Sequence, residues 1–458
     1  MKKSLIILLI IMLFASTTVT AAFNDIDEAN HTLSKAVSVL SEYGIVNGVS
    51  ETSFEPDSNL TRGQMATFIT RILNNGTIPE DAFKNNFSDI SDQTYKSAIN
   101  WANNKGILKG VTDTEFEPDG KILLQDAYAM LCRALGYEDS ASLEYPTGYI
   151  STAEKIGLNK NLDESLTYET PLTRGDAAIL LYNSLYADTA DGNALASSVY
   201  GKKKFKVVSC NIRGNYLGDA QNAFVLRAGY LANKIYVEEP DVIVFQEMTA
   251  DVLAMLKKLI PDYEFIGHGR NADFKGEGLY TAIKTDTCTF LGWDSIWLSP
   301  TPNTPATIFE DQSIYPRICV QALVRHNESG KVMRVFNIHL DHLKDAVRVK
   351  QIKTTFEYID SFKEKGDYPY ILLGDFNARA HHETISVCKE RTDIQDVSGN
   401  IKETFHAFGT ADPRTKIDYI FVTNDLAEYV YETDAWTDER NGTFLSDHYP
   451  IYSELWID

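Results

Sequence analysis

Six short segments in the second half of the chain concentrate the residue types that hold cations and move protons. In order they are Cys210-Asn211-Ile212-Arg213-Gly214, Phe245-Gln246-Glu247, Asn337-Ile338-His339-Leu340-Asp341-His342, Gly374-Asp375-Phe376-Asn377, Lys416-Ile417-Asp418-Tyr419-Ile420 and Ser446-Asp447-His448-Tyr449-Pro450. Asn211, Glu247 and Asp447 offer hard oxygen ligands. Such ligands suit Mg2+ or Mn2+ and leave coordination positions for water and a further ligand. A carboxylate buried at a strand end is costly unless something compensates it, so Glu247 reads as a ligand.

These segments need rigid elements to bring them together. Phe205–Asn211, Asp241–Gln246, Val332–Ile338, Tyr370–Leu373 and Ile417–Val422 read as strands, short β-branched runs alternating with helical stretches. The polar residues stand at or just past their ends. Sheet ends converge side chains from distant parts of a sequence into one site. A chain of 458 residues exceeds one core and implies two to three domains, and 44% hydrophobic with 23% charged residues is ordinary globular composition.

The ordered series resembles the endonuclease/exonuclease/phosphatase superfamily over about residues 203–458, with the domain itself placed at 205–458. The resemblance implies a DNase-I-like α/β four-layer sandwich, two packed β-sheets flanked by helices, and a metal-dependent phosphoric ester hydrolase. It makes Asn211, Glu247 and Asp447 the metal ligands, with Glu247 the most consistent of them. Asp375 and Asn377 orient or activate the attacking water and contact the phosphoryl oxygens. His448, held by Asp418, becomes general base or phosphate-binding acid. His339 is a second histidine post braced by Glu277, and Arg317 binds the substrate phosphate. His342 reads as a supporting hydrogen-bond partner, His268, His381 and His382 as loop residues, and Trp293 and Trp297 as packing. Arg213 stands where abasic-site enzymes carry an extra metal-binding Asp, which disfavours a site of that kind.

The first half repeats itself. Phe23-Asn24-Asp25-Ile26 recurs as Phe87-Ser88-Asp89-Ile90, Gly44-Ile45-Val46-Asn47-Gly48 as Gly106-Ile107-Leu108-Lys109-Gly110, and Ser53-Phe54-Glu55-Pro56-Asp57 as Glu115-Phe116-Glu117-Pro118-Asp119. Leu60-Thr61-Arg62-Gly63-Gln64 returns as Leu172-Thr173-Arg174-Gly175-Asp176, with Thr61 and Thr173 as helix N-caps. The pattern resembles S-layer homology modules, in three copies over 23–187 (about 23–75, 87–137 and 145–187), forming an all-α repeat unit. The second copy has Leu124-Gln125-Asp126 where Thr-Arg should stand. The resemblance implies binding to a secondary cell wall polymer, with Arg62 and Arg174 on the anionic ligand. The rival reading is a helical scaffold whose arginines are solvated caps.

Lys2 and Lys3, the apolar run Leu5 to Phe14 and small residues through Ala22 have the layout of a signal peptide over 1–22, with an uncleaved anchor as the alternative. A linker is expected at 188–204. The formal charge of −21 divides as 26 acidic against 12 basic residues over 23–200 and 38 against 29 over 201–458. This is not the basic footprint of a protein that grips nucleic acid through its phosphates. Five cysteines without a CxxC pair suggest neither a disulfide framework nor a zinc site. The expected protein is a secreted, wall-tethered phosphoesterase using Mg2+ or Mn2+ on a phosphate-ester substrate, with no stable protein partner evident and no membrane span after cleavage. The alternative is a wall-binding surface protein whose phosphoesterase fold is silent.

Overall fold

The computed structural model describes residues 23–27, 30–80, 84–90, 93–137 and 143–458. The expected signal segment lies outside them. The chain divides into two compact units, 1–201 and 202–458. No helix among the described residues is long and apolar enough to cross a membrane.

The first unit is helical: α1 (His31–Glu42), α2 (Arg62–Leu73), α3 (Gln93–Asn104), α4 (Leu124–Ala134), α5 (Thr147–Lys155), α6 (Arg174–Tyr186) and a short α7 (Leu195–Ser198). Capping boxes start α2 and α6, in which Thr61 pairs with Gln64 and Thr173 with Asp176. At α4 the cap is Leu123, which offers no side-chain acceptor. The residues before these three helices close a ring of backbone bonds: Leu60 N to Leu172 O (2.9 Å), Leu172 N to Ile122 O (2.9 Å) and Ile122 N to Leu60 O (3.1 Å). The repeat is thus a cyclic arrangement of helix pairs around three short extended segments.

The recurring aspartates explain why the two motifs recur together. Asp25 accepts from the amides of Phe54 and Glu55 and from the Ser53 hydroxyl, and Asp89 accepts from the amides of Phe116 and Glu117. Each aspartate pins the Phe-Glu-Pro-Asp turn of its own repeat. Gly48 and Gly110 are required beside them. A Cβ at either position would lie 2.4 Å from the Phe23 ring or 2.5 Å from the Phe87 ring.

In the second unit the strands are β1 (Lys203–Asn211), β2 (Val242–Met248), β3 (Tyr263–Gly269), β4 (Gly278–Lys284), β5 (Cys288–Trp297), β6 (Ile318–His326) and β7 (Val332–His339). They continue as β8 (Tyr370–Asp375), β9 (Ile394–Asp396), β10 (Asp418–Thr423), β11 (Val430–Ala435), β12 (Glu439–Arg440), β13 (Thr443–Phe444) and β14 (Ile451–Ile457). One sheet has the order β11-β14-β1-β2-β4-β3 and the other β5-β6-β7-β8-β10-β9, with β12 and β13 as a small separate pair. The expected linker 188–204 carries α7, and its last two residues begin β1.

Val207, Val244, Val320, Val335, Leu373 and Ile420 belong to the core between the sheets. Helices α8 (Phe224–Glu238) and α9 (Ala250–Leu259) cover the first sheet through residues such as Leu231 and Val252. Helices α10 (Asp345–Asp360) and α11 (Glu383–Glu390) cover the second through Ile352 and Ile385, and α12 (Asn424–Ala427) is a single turn. The central strands β2, β7, β8 and β10 are buried along nearly their whole length and so read as near-continuous apolar runs, whereas β5 and β11 are partly exposed. This is the four-layer α/β sandwich expected. His268 departs from expectation: it lies buried on β3, its Nε2 2.7 Å from Ser295 Oγ, where the paired sheet edge and neighbouring aromatic rings hold it.

Candidate functional sites

β1, β2, β7 and β8 end at one rim of the sandwich, where the antiparallel β10 begins with Asp418, and the residues at these strand ends build the site. Asp375 closes β8 and is only 2% exposed. Its Oδ1 accepts from the Asn377 amide (2.8 Å) and its Oδ2 from Asn211 Nδ2 (3.0 Å). The same Oδ2 lies 3.4 Å from His339 Nε2 and 3.9 Å from His448 Nε2. On the other side of His448, Nδ1 meets Asp418 Oδ2 at 2.8 Å. β7 and β8 must run tightly side by side here, because a Cβ at Gly374 (φ +145°) would sit 2.1 Å from the Ile338 carbonyl oxygen.

The electrostatics separate these groups. Burial works against a charge on His448, but Asp418, through charge and hydrogen bond, and then Asp375 and Asp447 outweigh it and raise the imidazole to about 10. At neutral pH this ring is a cation donating to Asp418. His339 moves the other way: burial and the charges of Arg317 and Arg270 hold it well below the usual histidine range. Asp375 is raised by burial and by the charge of Asp418, so it holds a proton more readily than an ordinary carboxylate. Environments that push neighbouring groups apart in this way assign acid and base roles.

A second cluster lies beside the first. Asn211 Nδ2 also reaches Glu247 Oε1 at 3.1 Å. Burial, then Glu277, then Asp447 raise the Glu247 carboxyl. A register shift in β2 after Phe245 turns Glu247 out of the ladder with φ +58°, and Arg213 (φ +49°) and Asn377 (φ +50°) share this left-handed backbone. Such backbone costs ~1–3 kcal/mol per residue and gathers where side-chain aim matters. Asn211 turns its Nδ2 to Glu247 while its Oδ1 accepts from the Arg213 amide (3.1 Å). The carboxylates of Glu247 and Asp447 are hard like-charged oxygens that favour a bound cation, so the residues fit Mg2+ or Mn2+. Arg213, 3.8 Å from Asp447 and paired with Asp219 at 3.0 Å, supplies part of the countercharge. Asp375, Asp418 and His448 also bring ligand atoms within 4.8 Å of one another. The hydrogen bond between His448 Nδ1 and Asp418 makes that trio a poor metal cage.

In the repeat unit, Arg62 and Arg174 are buried and bonded to main-chain carbonyls of the neighbouring repeat. Arg62 Nε donates to Phe116 O (2.9 Å) and its NH2 to Lys109 O (3.2 Å), while Arg174 Nε donates to Phe54 O (2.7 Å) and its NH2 to Asn47 O (2.9 Å). Their guanidinium carbons lie 4.8 Å and 4.6 Å from the Phe116 and Phe54 ring centroids. Buried Leu124 takes the equivalent place in the second repeat. Arg62 also lines a groove of about 1010 Å³ with Lys109 and Arg133, facing Asp126, Glu144 and Tyr145.

Residues 208–448 match the Endonuclease/Exonuclease/phosphatase family. The chain belongs to that family. Residues 22–66 and 86–127 match the S-layer homology domain. A cell surface protein of Thermoanaerobacter kivui is 28% identical over 304 residues, covering 61% of this chain and 38% of that protein. The middle cell wall protein of Brevibacillus brevis is 30% identical over 176 residues, covering 38% of this chain and 16% of its own length. The chain therefore spans well under half of these relatives. Among solved structures, an endonuclease/exonuclease/phosphatase from Bacteroides vulgatus superposes with a TM-score of 0.52 at 25% identity, covering 56% of this chain and 100% of the other. A mannosyl-6-phosphatase from Bacteroides thetaiotaomicron gives 0.50 at 26% identity, covering 55% and 99%.

Within this family domain the structure brings together Asn211, Glu247, His339, Asp375, Asn377, Asp418, Asp447 and His448. One pairing differs from expectation. Glu277 does not brace His339: its carboxylate is taken by Tyr216 OH (2.7 Å) and by Arg270. The Arg270–Glu277 hairpin ties the acid to its own base, and His339 faces Asp375 instead. Arg317 is buried, its Nε without a hydrogen-bond partner, beside Arg270, Glu277 and His339 in a small cavity. Its NH2 lies 3.4 Å from His342 Nδ1. Trp297 packs as expected, its indole N–H on Arg270 O at 2.9 Å, whereas Trp293 is 43% exposed. Sequence reasoning missed Arg270 and Tyr216. Both stand in irregular segments outside the six motifs, and their only signal is proximity in sequence to Glu277 and Arg213.

Proposed function

We propose that this protein is a cell-surface, metal-dependent phosphoesterase held to the bacterial wall by its repeat unit, with residues 145–187 as a third S-layer homology module. The observation carrying the catalytic reading is the buried Asp418–His448–Asp375–His339 chain set against the Asn211–Glu247–Asp447 oxygen cluster. Glu247, Asp447 and Asn211 would hold Mg2+ or Mn2+, which supplies charge neutralisation for a phosphoryl oxygen when bound. Asp375, with its raised proton affinity and its bond to the Asn377 amide, accepts a proton from the attacking water. His448, protonated and held by Asp418, donates to a phosphoryl oxygen, and neutral His339 donates a hydrogen bond beside it. Arg317 and Arg270 face the same cavity and bind the phosphate. A small phosphate ester fits this reading better than a polynucleotide, given the acidic balance of the chain and the phosphatase among the similar structures. Wall attachment is supported by the S-layer homology matches, by the surface-protein relatives and by the three cations of the Arg62 groove.

The test is hydrolysis by the purified full chain of an aryl phosphodiester, an aryl phosphomonoester, DNA and sugar phosphates, with and without Mg2+ or Mn2+. Turnover that needs the metal and disappears in Glu247→Ala and His448→Ala is expected. Unchanged turnover in both variants, or none on any substrate, sinks the catalytic reading. Pull-down with purified cell wall tests the address: binding should fail in Arg62→Ala, and survival of binding misplaces the groove.

A further inference from the structure

At the opposite end of β7 from His339, Arg334 lies five residues back along the strand, roughly 17 Å away at strand rise. It is 6% exposed, and its Nε–H has no hydrogen-bond partner. No carboxylate among the described residues is within salt-bridge reach of it. The guanidinium carbon is boxed instead by aromatic faces, 4.3 Å from the Phe362 centroid and 5.5 Å from that of Tyr368. A buried cation without an anion is expensive, and native structures rarely leave one without cause. Arg334 lines a pocket of about 430 Å³ at the start of β8, within the size range of small-molecule sites.

We infer that this pocket is a second ligand site, distinct from the catalytic rim, that takes a small organic monocarboxylate with a planar apolar body. Arg334 lines the pocket, so its guanidinium is the group that the carboxylate meets. Phe362 and Tyr368, with Ile359, Phe336 and Pro369, offer the apolar and ring-stacking surface for the body. Charge selects the ligand class. Asp367, Asp393 and Asp425 also line the pocket, with Asp393 paired to Arg391 at 2.7 Å, and the one other lining cation among the described residues, Lys363, is paired to Asp360 at 2.9 Å. That acidic rim repels a phosphate dianion far more than a carboxylate monoanion. Nothing in the catalytic reading uses Arg334, so the two proposals fail independently.

Calorimetric titration of the full chain with benzoate, benzamide and inorganic phosphate tests it. Benzoate should bind saturably, with benzamide and phosphate at least about tenfold weaker, a discrimination of the size of one charge-assisted contact. Arg334→Met and the rim substitution Tyr368→Ala should each weaken benzoate about tenfold or more, while Arg317→Met at the catalytic rim should leave it unchanged. Tyr368→Ala removes only a half-exposed ring, so it decides alone if Arg334→Met does not fold. The proposal is overturned if benzoate does not bind, if phosphate binds as tightly, if Tyr368→Ala leaves affinity intact, or if Arg317→Met abolishes binding.

Discussion

Arg174 in the repeat unit and Asp375 in the catalytic unit are both almost wholly buried, and they meet opposite fates. The guanidinium of Arg174 ends on two carbonyl oxygens and a phenylalanine face, so its charge is satisfied by the main chain. The carboxylate of Asp375 faces Asp418, two histidines and an amide, so its charge is contested. The first arrangement spends charge on joining repeats. The second stores it as shifted proton affinity, where a reaction can use it. At equal burial the two differ in their partners, backbone and a ring for Arg174 and other ionisable groups for Asp375; Arg62 shares the backbone partners of Arg174 but adds Asp126 at 3.8 Å and lines the groove.

Substituting each residue breaks the comparison most directly. Asp375→Asn should lower hydrolysis by roughly 10²–10⁴-fold, the usual range for a general base. It should leave the melting temperature of the catalytic unit unchanged or higher, because a carboxylate already disfavoured by burial and by Asp418 is gone. Arg174→Ala should do the reverse. It leaves hydrolysis intact and destabilises the repeat unit by about 2–4 kcal/mol, for two lost charged hydrogen bonds and a lost ring contact. Parallel kinetics and thermal unfolding check both. If Asp375→Asn melts early while Arg174→Ala does not, the distinction drawn from their partners is wrong.

The two units also differ in how much their sequences disclosed. In the repeat, the Asp25 and Phe54 motifs return as the Asp89 and Phe116 motifs, so a contact made once in each repeat appears as a pattern. In the catalytic unit five strands and the six motif segments were legible because each segment sits beside an apolar run. The Asp418–His448 contact was not legible in the residues themselves: it was implied only by the family resemblance, and the structure shows it at 2.8 Å. What failed was the partner of Glu277, and what was missed was Arg270 and Tyr216. All three depend on side-chain aim across a hairpin and an irregular segment, where neither periodicity nor strand ends constrain direction. Arg334 was invisible for a related reason: an arginine near a strand start reads as a solvated edge, and only packing by α10 and the turn after it buries the group.

Helix caps sharpen the comparison inside the repeat unit at a smaller scale. Thr173→Ala removes a reciprocal cap and should cost about 1 kcal/mol. Leu123 already has the extended backbone of a cap, with φ −88° and ψ 154°, and Asp126 stands three residues on. Leu123→Thr should therefore gain up to about 1 kcal/mol by completing the missing box, less whatever apolar contact the half-buried leucine makes. Chemical denaturation of the paired variants measures both. A loss in Leu123→Thr as large as that in Thr173→Ala would mean that the leucine is held for packing.

The smallest effect expected is one of pH, and it tests whether backbone-satisfied charge is structural throughout the repeat. Slight burial opposes ionisation of Asp25, but the Phe54 and Glu55 amides and the Ser53 hydroxyl outweigh it and hold the carboxyl at about 2; Asp89 is lowered by the same kind of contacts. Both folded values lie below the ordinary unfolded value near 4. Each aspartate therefore contributes stability that is present in full above about pH 4 and is lost as pH falls through its lowered folded value, about 2 for Asp25. Both groups are largely solvent-exposed, so the loss is small and screened by salt. Asp25→Asn should flatten the acid limb of the repeat unit's unfolding profile without shifting its neutral plateau by more than the lost hydrogen bonds require. An acid limb as steep as that of the unaltered chain would place the titrating groups elsewhere.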